Sequence, residues 1–233
     1  MHNNYKEYIQ NAISIFWDTK KKQLANSTDK SNRGAVVGGK QLDGFIETFK
    51  KVAISAGVSE PYIYTKNNYI PGYFRSSKDW DFIIITPSNK LLVAIELKSQ
   101  VGSYGNNFNN RTEEALGSAV DFWTAYKKEQ FPHQEAPWLG YLMVIGKDTK
   151  STIPVKNYEN HFLVREEFKG ASYIERYKIL CQKLIKERLY TSTALLWTKE
   201  NKEFGDVDES ISINSFIHSL YGYLIGHTYE FSN

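Results

Sequence analysis

The spacing of apolar residues predicts helices at the start of the chain. Apolar side chains recur with a helical rhythm over residues 4–17 and over about 40–56, and Gly57 then supplies a stop signal. The segment between them, residues 18–38, is polar and ends in glycines, so we predict a long loop there. The first part of the chain therefore predicts two helices joined by a loop.

Short apolar runs predict strands in the middle of the chain. Residues 81–86 and 91–98 are the strongest of them, and the intervening PSNK, residues 87–90, is typical of a turn. Residues 61–65 predict a further short strand, and the continuous apolar run over 138–146 predicts a buried one. The two runs around the turn are expected to form a hairpin.

Asparagine and glycine dominate the segment that follows the hairpin. Residues 100–111 are predicted to form a loop because this composition is typical of turns. Asn110 with Glu113 three residues later resembles a helix cap, which predicts a helix over about 111–129.

The last third of the chain predicts two more helices and a strand. Ser172 with Glu175 predicts a capped helix over 172–189, residues 191–198 predict a strand, and 209–226 a closing helix. The coarse order is helix, three strands, helix, strand and then a mostly helical tail, which indicates a mixed α/β or α+β domain.

Three charged residues stand in the predicted hairpin core. Asp81 opens one apolar run, while Glu96 and Lys98 close the other. Glu96 and Lys98 are two residues apart and share a strand face, and counting outward from the turn brings Asp81 near Glu96. Buried ions are costly unless they are paired or bound to metal. A solvated salt bridge between Glu96 and Lys98 is the structural alternative.

Two carboxylates beside an amine suit metal-assisted hydrolysis of a phosphodiester. Asp81 and Glu96 offer hard oxygen ligands for Mg²⁺, and Lys98 is placed to orient a water molecule or to steady the phosphate. Asp79 competes with Asp81 as the first acid but lies outside the apolar run. An acid followed about 15 residues later by acid-x-Lys is by itself weak evidence for a nuclease, because these residue types are common.

Composition limits the partners and the cellular compartment that we expect for this chain. A net charge of +3 permits a polyanionic partner without demanding one. Cys181 is the single cysteine, so an intrachain disulfide is excluded and a reducing cytoplasm is expected. The first ten residues lack the apolar core of a signal peptide, and no apolar run is long enough for a membrane span.

Longer segments resemble a known family. VAIELKSQVGSYGNNFNNRTEEALGSAVDFW, residues 93–123, resembles the XhoI-like type II restriction endonucleases of the PD-(D/E)XK nuclease superfamily. Residues 33–45 and 79–85 are similar to the family's N-terminal segment and to its first catalytic acid. The resemblance covers roughly residues 33–145, and the remainder after about 150 is matched only loosely.

The resemblance implies a restriction-endonuclease-like fold, with a central mixed sheet flanked by helices. The length of 233 residues predicts one domain over 1–233, and together with the resemblance this gives a nuclease domain with a catalytic core at about 40–146 and helical extensions at both ends. Asp81, Glu96 and Lys98 would be the catalytic set. Trp80 stands where the superfamily's first motif has proline, but that proline supplies no ligand.

The resemblance also implies an activity and its partners. It implies a Mg²⁺-dependent homodimer that cuts both strands of a palindromic duplex. Members of the family typically recognise CTCGAG and leave four-base 5′ overhangs. A cognate DNA methyltransferase would protect the host DNA.

Polar residues beside the catalytic set are candidates for DNA contact. Asparagine can read adenine and arginine can read guanine in the major groove, although an Asn-rich turn that only caps a helix has the same composition. Further basic residues, Arg33, Arg75 and Lys78, can meet the DNA backbone. The expected DNA-binding residues are Gln100, Asn106, Asn107, Asn109, Asn110, Arg111 and Lys40.

Three functions are compatible with the sequence. The first is a type II restriction endonuclease. The second is a repair or structure-specific nuclease of the same superfamily. The third is a non-catalytic DNA-binding protein on a decayed nuclease scaffold, against which the intact Asp81, Glu96 and Lys98 argue.

Overall fold

A computed structural model describes residues 4–26, 40–131 and 133–231. The strands are β1 Ile63–Tyr64, β2 Tyr69–Ile70, β3 Lys78–Asp79, β4 Phe82–Ile85, β5 Leu91–Gln100, β6 Trp138–Gly146, β7 Ser192–Thr198 and β8 Phe204–Asp206. The α-helices are α1 Asn4–Asn26, α2 Asp43–Ser55, α3 Tyr104–Lys127, α4 Thr149–Thr152, α5 Tyr173–Lys186 and α6 Ile213–Gly226. A short 3-10 helix, Lys40–Leu42, leads into α2.

Six strands form one mixed sheet in the order β1-β4-β5-β6-β7-β8. The hairpin strands β4 and β5 are antiparallel, β5, β6 and β7 are parallel, and the edge strand β8 is antiparallel to β7. The mixed sheet flanked by helices that the resemblance implied is therefore confirmed. Strands β2 and β3 pair separately as a small antiparallel ribbon.

The register of the hairpin decides which side chains share a face. Phe82 lies opposite Ile95, and continuing this register places Asp81 opposite Glu96. Side chains alternate along β5, so Ile95 faces one layer of helices while Glu96 and Lys98 face the other. The hairpin predicted from the sequence thus brings the charged residues to one face.

Helices cover both faces of the sheet. On one face α1, α2 and α6 form a core with the sheet through residues that include Phe16, Phe49 and Phe216. On the other face α3 and α5 bury Phe122 and Tyr177 against the sheet. Burial on both faces explains why β5 and β6 are almost continuously apolar.

The first helix is longer than predicted. It runs to Asn26, so the predicted loop is wrong over residues 18–26, while residues 27–38 lie outside the described residues. Lysine, glutamine, leucine and alanine in this stretch are good helix formers despite their polar pattern.

The Asn-rich segment is helical and not a loop. Helix α3 begins at Tyr104, about seven residues before the predicted start, so Asn110 is an interior residue and not a cap. The buried Tyr104 hydroxyl lies 2.9 Å from each of two acceptors for its one hydrogen, the carbonyl of Gly146 and the carboxylate of Asp148. These tertiary contacts fix the helix start against the weak helix propensity of asparagine.

The later elements largely follow the predictions. Strand β6 has the predicted bounds, and α5 begins with the predicted reciprocal cap, in which Ser172 and Glu175 bond each other's backbone. Helix α6 begins at Ile213, after a short 3-10 helix. Strands β2, β3 and β8 were not predicted, because two or three residues are too few to show a period. None of the helices in the described ranges is long and apolar enough to cross a membrane.

Candidate active site

The charged residues of the hairpin meet in one cluster around a buried carboxylate. Glu96 is only 3% exposed. Its Oε1 pairs with the ammonium of Lys98, and its Oε2 lies 2.6 Å from Nζ of Lys78. The salt bridge between Glu96 and Lys98 that the sequence offered as an alternative is present. It does not lie on a solvated face, however, because the Glu96 carboxylate is buried.

Asp81 faces this cluster from β4's side. Its Oδ2 accepts the backbone N–H of Leu97 at 2.7 Å. Burial and the neighbouring Glu96 charge raise the pKa of Asp81 to about 6, and the Leu97 N–H and the two lysines offset this only in part. Two carboxylates thus repel each other in a poorly solvated place, which favours a shared cation.

Lys98 stays protonated in this cluster. Burial acts to lower the pKa of its ammonium, but the charge and the hydrogen bond of Glu96 outweigh burial and raise it. A free-base role for Lys98 is disfavoured near neutral pH. The side chain is suited to orienting a water molecule or to pairing with a phosphate.

Lys78 belongs to the cluster although the sequence suggested only a contact to the DNA backbone. It sits on β3 and its ammonium also lies 4.9 Å from the Trp80 ring centre. The only sign of this role in the sequence was the position of Lys78, three residues before Asp81. Its pairing with Glu96 across two sheets could not be read from spacing.

A cleft of about 520 Å³ opens onto the cluster. Its lining includes Lys78, Glu96 and Lys98, together with Phe74 and the α3 residue Glu113. A larger cavity of about 830 Å³ lies elsewhere and contains none of these side chains. Burial, opposed charges and a cleft coincide at the smaller one, which makes it the candidate active site.

The donor set fits a Mg²⁺ site that needs few protein ligands. Within the described ranges, no three His, Cys, Asp or Glu side chains are grouped so as to hold a metal ion. Mg²⁺ keeps several waters and is commonly held by one or two carboxylates together with substrate phosphates. The facing carboxylates of Asp81 and Glu96 meet that requirement.

Sequence comparisons decide the family. The family profile described as restriction endonuclease XhoI matches residues 21–209. The chain is 44% identical to the type II restriction enzyme BstVI of Geobacillus stearothermophilus, over 84% of this chain and 92% of that one. It is 38% identical to the type II restriction enzyme XhoI of Xanthomonas vasicola, over 78% of this chain and 75% of that one.

The chain belongs to the XhoI restriction endonuclease family. It is a type II restriction enzyme, a site-specific deoxyribonuclease that acts on double-stranded DNA. Enzymes of this class generally use a divalent metal ion. No solved structure matches the chain.

Most predicted DNA-reading residues of this XhoI-family enzyme lie on the first turns of α3. Asn106, Asn109 and Asn110 are exposed, and their spacing places them on one helix face. The same face continues through Glu113, which lines the cleft. An exposed row of amides therefore runs from the helix start toward the cleft that Glu96 and Lys98 line.

Two residues of the same segment are engaged within the protein. The Asn107 amide donates to the carbonyl of Ser103 at 2.9 Å. Arg111 pairs with Glu114 at 2.6 Å and is partly buried. Arg111 therefore starts from an ion pair that base readout would have to replace.

The remaining predicted residues occupy different surroundings. Gln100 is buried and its amide donates to the carbonyl of Gly102. Lys40 is exposed at the start of the 3-10 helix, whereas Asp79 is exposed on β3. Arg33 lies outside the described residues.

Proposed function

We propose that this enzyme cleaves duplex DNA in a Mg²⁺-dependent reaction, in which Asp81 and Glu96 hold the ion and Lys98 attends the scissile phosphate. The buried Glu96 carboxylate, opposite Asp81 and paired with Lys98 at the floor of a cleft, carries the proposal. A structural ion pair has no need of a second, facing carboxylate with a raised pKa.

Each side chain has a separate task. A bound Mg²⁺ would supply Lewis-acid stabilisation of phosphate charge and a water of lowered pKa. Asp81 must be ionised to serve as a ligand, and the cation's charge favours that form. Lys98 keeps its proton and donates to the phosphate or to a water molecule. Lys78 neutralises Glu96 until the ion or the substrate arrives.

The proposals for sequence recognition and assembly rest on membership of the XhoI family, and the exposed amides of α3 are compatible with them. Asn106, Asn109 and Asn110 on α3 are suited to reading base edges in the major groove. We propose a homodimer, because a two-fold protein meets a two-fold site and cuts each strand once. The proposed site is CTCGAG with four-base 5′ overhangs, cut in the cytoplasm where a methyltransferase protects the host DNA.

Plasmid cleavage tests the proposal. Purified protein with Mg²⁺ is expected to give discrete fragments with 5′-phosphate ends, and run-off sequencing of those ends gives the site and the stagger. EDTA should stop the reaction. Smeared products, or cutting restricted to junctions and free ends, would contradict the proposal and favour a structure-specific nuclease.

A matched pair of variants tests the site. Asp81→Asn should lower the cleavage rate by about 10²-fold or more, since it removes a metal ligand. Asp79→Asn makes the same chemical change at an exposed acid two residues away and should leave the rate within about twofold. Equal effects of the two changes would remove Asp81 from the site.

A further inference from the structure

The loop between β2 and β3, residues 71–77, is held by one buried carboxylate of α3. Oδ1 of Asp121 accepts the backbone N–H of Tyr73 at 2.8 Å and of Phe74 at 2.7 Å. Its Oδ2 accepts Nε of Arg75 at 2.7 Å. Asp121 is itself buried, so three charge-assisted hydrogen bonds fix the loop to the helix that borders the cleft.

Close approach to this carboxylate requires a glycine. A Cβ on Gly72 would lie 2.1 Å from Oδ2 of Asp121, far inside van der Waals contact. The loop therefore combines a residue without a side chain and a buried acid at the same point. Such a rigid arrangement is costly to maintain for a loop that only connects two strands.

The rigid loop presents two aromatic rings to solvent. Tyr73 is 52% exposed and Phe74 is 70% exposed, and the ring centres lie 4.9 Å apart in an edge-to-face arrangement. Phe74 lines the same cleft as Glu96 and Lys98. An apolar ring, carried by a hydrogen-bonded backbone, thus stands at the rim of the candidate catalytic cleft.

We propose that Phe74, backed by Tyr73, packs against the sugars and bases of substrate DNA beside the scissile phosphate, with Asp121 as the positioning residue. The inference deepens the proposed function and rests on it. Apolar side chains pack against or wedge between base steps in many DNA complexes, and each aromatic–base contact is worth a several-fold change in affinity. The Arg75 guanidinium is paired with Asp121, so the aromatic rings of the loop are more available for contact with DNA than its positive charge.

Substrate DNA is a better occupant of this surface than a second copy of the chain. The ring and the catalytic carboxylate line one continuous cleft. A protein partner seated on Phe74 would close that cleft to the phosphate that Lys98 must reach. DNA that lies in the cleft meets the ring and the ammonium together.

Variants of Phe74 test the contact. DNA affinity is measured by fluorescence anisotropy with Ca²⁺ in place of Mg²⁺, and single-turnover cleavage is measured with Mg²⁺. Phe74→Ala should weaken binding at least about fivefold, whereas Phe74→Trp should retain it. Phe162→Ala is the matched control, because this phenylalanine is 87% exposed but does not line the cleft. It should change affinity less than about twofold.

Variants of Asp121 test the positioning role. Asp121→Ala should weaken DNA binding as Phe74→Ala does, and the double variant should be no worse than either single one. Asp121→Asn keeps an acceptor for the two loop N–H groups and should restore most of the affinity. Equal losses for the alanine and asparagine variants would contradict the positioning role.

The outcomes separate this inference from the proposed function. Wild-type cleavage at a defined site together with unchanged binding by Phe74→Ala would overturn the inference alone. Absence of site-specific cleavage by the wild type would overturn the proposed function, and with it the place of Phe74 beside a scissile phosphate. A change in oligomeric state of Phe74→Ala without DNA, seen by size-exclusion chromatography, would assign the ring to a second copy and also overturn the inference.

Discussion

Nζ of Lys78 lies 2.6 Å from Oε2 of Glu96, although the two residues belong to different sheets. Lys98 holds the other oxygen, so both oxygens of the buried carboxylate face ammonium groups. A cation that binds Glu96 must compete with them. The two lysines stabilise the Glu96 carboxylate, because an unpaired buried carboxylate is strongly unfavourable.

Lys78→Met should expose this compensation. In EDTA the free energy of unfolding is expected to fall by about 1–3 kcal/mol, since one partner of a buried charge is lost. With saturating Mg²⁺ the deficit should shrink, because the metal takes over the compensation. Urea unfolding with and without Mg²⁺ measures both values.

A surface pair supplies the control for Lys78. Lys169→Met breaks an ion pair with the largely exposed Glu166 and should cost less than about 1 kcal/mol with or without Mg²⁺. If Lys78→Met destabilised the protein equally in EDTA and in Mg²⁺, the lysine would be an ordinary structural partner and not a placeholder for the cation.

The pKa of Asp81 predicts how the stability of the metal-free protein depends on pH. The pKa of Asp81 is raised from 3.8 to about 6 in the folded state. Between these pH values the folded protein keeps a proton on Asp81 that the unfolded chain has released. Asp81 therefore costs no stability below about pH 4 and costs progressively more as pH rises to 6, reaching on the order of 3 kcal/mol above that pH. Asp81→Asn should stabilise the protein in EDTA at pH 8 and not at pH 4.

Thermal or urea unfolding at the two pH values checks this prediction. Asp79→Asn, at an exposed position, should give no comparable gain at pH 8. The gain from Asp81→Asn should also vanish in Mg²⁺, because the ion compensates the charge that the substitution removes. A gain of equal size at both pH values would show that the effect is unrelated to ionisation.

The hairpin that carries Asp81, Glu96 and Lys98 was predictable because its information is local. A turn between two apolar runs sets the register, and the register places Asp81 opposite Glu96. Strand periodicity then assigns Lys98 to the same face. Only the depth of burial was missing, since it depends on helices α3 and α5 that cover this face.

The contacts made by Lys78 and Asp121 were not predictable, because each joins segments that are distant in the chain. Asp121 bonds a loop 46–48 residues away, and no composition or period marks that pairing. The predicted start of α3 was wrong for a related reason. Tyr104 is anchored more than 40 residues away, and this contact overrides the local preference of asparagine for turns.

The position of Asn110 within α3 gives a prediction whose sign separates the two readings of the Asn-rich segment. As an exposed interior residue, Asn110→Ala should raise the free energy of unfolding by about 0.5 kcal/mol, since alanine has the higher helix propensity. As the cap inferred from the sequence, it would instead lower it by about 1 kcal/mol. Urea unfolding of this single variant decides between them.

Gly72 and Asp121 should behave as a coupled pair. Gly72→Ala places a methyl group 2.1 Å from Oδ2 of an acid that cannot retreat without losing its loop hydrogen bonds, so it should cost about 1–3 kcal/mol. In an Asp121→Ala background the obstacle is gone and the same substitution should cost almost nothing, which gives a coupling energy of about 1–3 kcal/mol in a double-mutant cycle.

Gly117→Ala is the control: its Cβ would meet nothing within 4 Å, so helix propensity predicts stabilisation by up to about 1 kcal/mol. Additive losses from the two changes would show that the glycine and the carboxylate act independently, and the loop would then have some other reason for its shape.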